Sequence, residues 1–323
     1  MSNKTKPAKI KGCESQLQKW GYVFVLPFVL VYCLFNLYPT LSTLYLAFTD
    51  LKGFKTNAEF TGLENFIRLI KDKYFWGAVK NTFIMWGLNF VPQLGIALIL
   101  AIWFSDVQLK LKFKNPVRAI IYLPNLLTAA SVAMLFRSLF YYPVGPVNQF
   151  LQSLGIYAHT VRDGEVIKEA FYFFRSVPAS RGIVAFIQWW MWYGQTVILL
   201  MAGITSIPVS LYEAAVIDGA NNRQVTWRIT LPLLRPIMLY TLITSMIGGM
   251  QMLEVPFLLT DMRGAPDYSI RTTNVYLYNI AFQGANDYAY AACISIGLFI
   301  ITCILALGIN YLMRDRSELS KAR

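Results

Sequence analysis

Six apolar runs, each near the length of a bilayer crossing, leave this chain few folds to choose from. They cover residues 21–48, 81–104, 119–140, 182–204, 237–260 and 288–313. A helix needs roughly 20 apolar residues to cross hydrocarbon. Pro27, Pro39, Pro92, Pro124 and the pair Gly248–Gly249 lie inside these runs. Bundled transmembrane helices tolerate such residues because neighbours satisfy the freed backbone groups. Charged residues make up 14% of the chain, against about 25% in a soluble domain. The expected fold class is therefore an all-α membrane protein, a bundle of six transmembrane helices.

The formal net charge of +12 is not a nucleic-acid signature, because the basic residues gather in short segments beside the apolar runs. Lysine and arginine are denser in the N-terminal tail, in the segments after runs two and four, and in the C-terminal tail. The positive-inside rule then places both termini in the cytoplasm, with segment 205–236 beside them. The first run is too long for a cleavable signal, and no small-residue cleavage site follows it. Cys33, Cys293 and Cys303 fall in apolar runs and Cys13 in the basic tail, a pattern of neither disulfides nor a metal site. The expected organisation is a basic tail (1–19), a transmembrane domain (20–313) and a second tail (314–323). Residues 141–181 are an extracytoplasmic insertion, a small cap that contains the single histidine, His159. A histidine on a polar loop is most simply read as solvated.

Segment 205–236 interrupts two very apolar runs with "EAAVIDGANNRQVTWRITLPLLRP". Ile207-Pro208 stops run four. Ser210 and Glu213 have the spacing of a capping box, which predicts a helix over 211–218. Gly219 suits the left-handed residue that ends a helix, and Asn221 or Asn222 can cap a second one. That second helix is expected to stop before Pro232. Local chemistry alone allows an interfacial hairpin that simply links two spans.

The residue string carries more than its capping chemistry. Glu213-Ala214-Ala215, then Asp218-Gly219-Ala220, then Ile229-Thr230-Leu231-Pro232 closely resembles the EAA loop of ABC-importer permeases. Asp218-Gly219-Ala220 and Trp227 look like the carbohydrate-importer branch. The first run with its following "FTGLENF", "GPVNQFLQSLGI" at 145–156 and "TTNVYLYNIAF" at 272–282 also resemble the larger subunit of the maltose-importer type. The extra N-terminal spans of that type's best-known member are missing, and the insertion near 157–180 is longer than typical. The resemblance implies a type I importer permease with a cytoplasmic coupling-helix loop, whose Glu213, Ala214, Ala215, Asp218, Gly219 and Ala220 dock on an ATPase subunit. Small residues let a helix sit close to a partner, and Glu213 offers a carboxylate to an arginine there. No G-x-x-x-x-G-K-[ST] phosphate loop occurs in the sequence. ATP and Mg would therefore belong to the partner ATPase, and the chain itself calls for no cofactor or metal and no catalytic residues.

A sugar path needs aromatic faces and amides. Gln188 and Gln195 are seven apart in "QWWMWYGQ", hence on one helix face, with Trp192 at i+4 from Gln188. Trp189, Trp190 and Trp192 read equally as interface anchors. Gln251 and Glu254, three apart, form a second polar face, and an intramembrane Glu is a functional candidate, although Glu254 also falls near the expected outer interface. Arg137, near the end of run three, reads as a snorkelling anchor. The resemblance implies that Gln188, Met191, Trp192 and Gln195, together with Ser245 and Gly249, line the substrate path. It implies as partners a second homologous permease, an ATPase dimer, an extracytoplasmic solute-binding protein, a sugar and membrane lipid, in a bacterial cytoplasmic membrane. Three other readings stand beside it. They are a permease for another polar solute such as a glycerol phosphate, an ATPase-independent secondary transporter, and a structural membrane protein.

Overall fold

A computed structural model of the chain describes residues 11–53, 55, 58–105, 114–162, 165–284 and 286–313. The C-terminal tail and the first ten residues of the N-terminal tail lie outside the described residues, as do Lys110 and Lys112. Among the described residues the chain is helical apart from loops and one hairpin. α1 (Lys11–Tyr32) passes through a π-helical turn (Cys33–Leu37) into α2 (Tyr38–Leu46). α3 (Glu64–Lys71) is short and amphipathic, and α4 (Lys73–Ser105) is long. α5 (Lys114–Tyr122), α6 (Ala129–Leu139) and α7 (Pro146–Ser153) follow. Strands β1 (Ala158–Arg162) and β2 (Glu165–Glu169) pair antiparallel, with His159 opposite Lys168. Next come α8 (Val177–Thr205), α9 (Val209–Ile217), α10 (Asn222–Val225) and α11 (Leu231–Met250). α12 (Glu254–Leu259), α13 (Thr273–Phe282) and α14 (Tyr288–Met313) complete the chain.

Five helical stretches are long and apolar enough to cross a membrane, and a bent pair brings the total to six. That pair is the expected third run. It turns by 89° between 116–126 and 129–139. Pro124 sits in a 3-10 turn there, Leu127 and Thr128 are extended, and the Thr128 hydroxyl caps the restarted helix at Ser131 N. The expected fifth run, 237–260, is displaced. The continuous helical path covers Asn222–Met250 and breaks at 251–253. Pro256 has no N–H to give the Met252 carbonyl four residues back. The Thr272 hydroxyl donates to that carbonyl instead, at 2.7 Å, so the break is satisfied rather than orphaned.

α4 and α8 run side by side as the central pair. At one end Arg181 Nη2 donates to Asn81 Oδ1 at 2.7 Å. At the other end Ala97, Ala101 and Phe104 pack against Val197, Leu200, Ile204 and Leu234. Gly194 lets α5 lie close against α8. A Cβ there would lie 2.1 Å from the Ile121 carbonyl oxygen. Polar groups order the end far from Gly219. Asn65 Nδ2 donates to the Ala47 and Thr49 carbonyls. Asp287, 2% exposed, accepts from Arg68 at 2.7 Å. Asp72 Oδ2 accepts from the Tyr276 and Tyr290 hydroxyls at 2.5 and 2.6 Å.

Candidate functional site

A cavity of about 510 Å³ opens between α4, α8, α11, the 251–253 break and the start of α12. α8 contributes Gln188, Trp192, Gln195 and Thr196, and α11 contributes Tyr240, Thr241, Thr244, Ser245 and Gly249. The break supplies Gln251, the start of α12 supplies Glu254, α13 supplies Asn274, and α4 adds Asn89 and Gln93. The break itself makes the site. Gln251 directly follows α11 and Glu254 opens α12, and both line the cavity.

Seven of the eight residues singled out for a substrate path line this cavity: Gln188, Trp192, Gln195, Ser245, Gly249, Gln251 and Glu254. Met191 does not. It is 4% exposed and packs in the core with Ile187, Met85 and Val132. Of the three tryptophans only Trp192 faces the cavity. Trp190 packs on Phe136, and Trp189 stacks on Tyr193. Arg137 donates to the Leu258 carbonyl at 3.3 Å, so it ties α6 to α12 rather than reaching freely for an interface.

The walls are partly fixed by their own hydrogen bonds. Gln93 Nε2 donates to Thr196 Oγ1 at 2.8 Å, and Trp86 Nε1 donates to Ser245 Oγ at 3.3 Å. Asn274 Nδ2 donates to the Gln251 carbonyl at 2.9 Å. Gly249 has a packing reason beside its lining one, since a Cβ there would meet Trp86 Cδ1 at 2.3 Å. Asn89 and Gln93 escaped the sequence reading, although their i, i+4 spacing on an apolar run carries the same signal as the Gln188/Gln195 face. Tyr240, Thr241 and Thr244 carry no such signal. Hydroxyls on a helix commonly bond back to their own backbone, as Thr241 and Thr244 do here.

At the far end of α8 the chain turns a corner. α9 ends in a Schellman motif: Gly219 N donates to Val216 O and Ala220 N to Ala215 O, with Gly219 at φ +74°. The Ser210–Glu213 capping box does not form. α9 starts at Val209 after Pro208, with no side-chain cap, so Ser210 already lies inside the helix. Asn221 does cap α10, in a reciprocal box with Gln224. The second helix also continues past its expected stop. A π-helical turn (Thr226–Thr230), closed by the Leu231 N–H on the Thr226 carbonyl, joins α10 to α11, and Pro232 follows it directly within the continuous path. Ala215 is buried and Ala220 half-buried, whereas Glu213, Ala214, Asp218 and Gly219 are exposed. Beside them Ile217 and Trp227 stand 85% and 65% exposed. Small, acidic and large apolar side chains thus share one uncovered corner, a composition suited to a protein partner.

Comparison with known proteins adds three findings. Residues 76–316 match the family model described as "binding-protein-dependent transport system inner membrane component". The lactose transport system permease protein LacF of Rhizobium radiobacter is 30% identical, over 92% of this chain and 94% of its own. The multiple sugar-binding transport system permease protein MsmF of Streptococcus mutans is 28% identical, over 89% and 93%. A crystal structure of a bacterial ABC transporter involved in import of the acidic polysaccharide alginate superposes with a TM-score of 0.77. It is 25% identical and covers 93% of this chain and 97% of that one.

Proposed function

The chain belongs to the family of binding-protein-dependent transport system inner membrane components, and from that premise we propose that it forms one half of a sugar-conducting path driven by ATP hydrolysis on another subunit. It is a multi-pass inner-membrane permease of an ABC importer, with the type I importer permease fold. The observation that carries the sugar reading is the cavity. A volume of about 510 Å³ is in the range of small-molecule sites. Its lining of amides, hydroxyls and two aromatic side chains matches what sugar hydroxyls and ring faces require. The names of LacF and MsmF refer to sugars, which supports the same class.

Coupling is assigned to the corner. Glu213, Ala214, Ala215, Asp218, Gly219 and Ala220 would face the ATPase dimer, where ATP and Mg are held; the chain itself has no phosphate loop. From that corner one helical path of 29 residues, Asn222–Met250, rises roughly 35 Å before it reaches Ser245 on the cavity wall. A tilt imposed at the corner reaches the cavity through a single element. The Tyr212 hydroxyl lies 3.3 Å from Thr230 Oγ1, which ties α9 to the π turn. A second permease closes the other side of the path, a binding protein delivers the sugar, and both termini face the cytoplasm. Sugar uptake into vesicles holding the assembled transporter tests this. Uptake that depends on ATP and on the ATPase subunit is the expected result. Uptake that persists without the ATPase would overturn it.

A further inference from the structure

We infer that Glu254 makes this cavity selective for sugars without an acidic group, and that uronate-bearing oligosaccharides are disfavoured there. The inference rests on the sugar reading above and narrows it. Among the described residues, Glu254 is the one ionisable carboxylate of the cavity lining, and no lysine, arginine or histidine joins it. The ion pairs of the structure involve Asp50 and Asp287, far from the break, and Glu254 takes part in none of them. Its side chain is exposed to the cavity. A carboxylate only accepts hydrogen bonds, so it welcomes hydroxyl or ammonium donors and repels a second carboxylate.

The rest of this chain's share of the lining does not compensate. Gln188, Gln195 and Asn274 are neutral amides, and the Gln93 amide is already engaged with Thr196. None of them can supply the full positive charge that would neutralise a uronate. A competing role for Glu254 is purely structural, since it is the first residue of α12 and an acidic group favours a helix N-terminus. That role predicts lost abundance and no change in selectivity.

The test uses the complete permease–ATPase complex, purified without its binding protein so that delivery does not filter the sugars. Radiolabelled lactose and maltose, each beside its terminal glucuronate counterpart, are the probes in equilibrium dialysis normalised to assembled complex. Wild type is expected to hold the neutral sugars about tenfold or more better than the uronates. Glu254→Gln should shrink that ratio by about tenfold, and Glu254→Asp should keep it. Equal binding of uronates by wild type, or a ratio unmoved in Glu254→Gln, overturns the inference and leaves the sugar reading standing. Binding of none of the four probes by wild type overturns the sugar reading and the inference with it.

Discussion

Trp192 and Gln195 sit one helical turn apart on α8, yet they ask different things of the cavity. Trp192, 46% exposed, offers a broad face for stacking. Gln195 accepts from Asn125 Nδ2 at 3.5 Å and keeps its own amide N–H groups for substrate. One hydrogen bond contributes about 0.5–1.5 kcal/mol net. Gln195→Ala should therefore lower uptake per assembled complex by about two- to tenfold, and Trp192→Ala should cost more and alter which sugar is preferred. Unchanged normalised uptake in Trp192→Ala, with only its abundance reduced, would make the ring a membrane anchor. Asp72 acts differently, because it joins α13 and α14 to the start of α4. Burial alone would raise its carboxyl, but hydrogen bonds from Tyr276, Tyr290 and the Tyr74 backbone outweigh this and hold it below the ordinary carboxylate value. A depressed folded-state value means the stabilisation is present above the unfolded value near 3.9 and is lost as pH falls through the folded one. Asp72→Asn should lower thermal stability in detergent by about 1–3 kcal/mol at neutral pH and flatten the acid limb. A variant as acid-sensitive as wild type would show that these hydrogen bonds do not set the limb.

At the scale of elements, the decisive features are the two interruptions and the corner, and they differ in how well the sequence announces them. The corner was legible because its chemistry is local: Gly219 at φ +74° and Asn221 as a cap need only their neighbours. The Ser210–Glu213 box failed because Pro208 sets the helix start first. Pro232 failed as a stop because the π-helical turn just before it carries the helical path through without a break. The break at 251–253 was missed for a non-local reason. Its stability depends on Thr272, twenty residues away, donating to the Met252 carbonyl. The 89° bend after Pro124 likewise depends on what packs around it. Amide faces were readable, as at Gln188 and Gln195, whereas Tyr240 needed the fold to reveal it. Gly219 gives the element-scale test. No atom lies within 4 Å of a Cβ built there, so Gly219→Val costs only the left-handed backbone, about 1–2 kcal/mol or somewhat more for a β-branched residue. The expected result is normal membrane insertion with reduced copurification of the ATPase. Undiminished copurification would mean that the Schellman turn does not shape the docking face.

For the whole molecule, the geometry divides labour between two ends of one bundle. The end beyond Asp72 and Asp287 is locked by buried polar bonds. At the opposite end Glu213, Ile217 and Trp227 are exposed among the described residues. Between them lies a polar cavity walled on one side by the same helical path that begins at the corner. In the proposed coupling, a partner docked at the corner works on the cavity through this path without touching it. The most direct measurement is the ATP hydrolysis rate of the reconstituted complex, with and without sugar-loaded binding protein, for Glu213→Gln and Glu213→Lys. Glu213 caps nothing, so neither change should disturb α9 or insertion. Glu213→Gln should weaken the stimulation by sugar, and Glu213→Lys should abolish it while basal hydrolysis by the ATPase persists. Full sugar-stimulated hydrolysis in the Glu213→Lys complex would contradict the account.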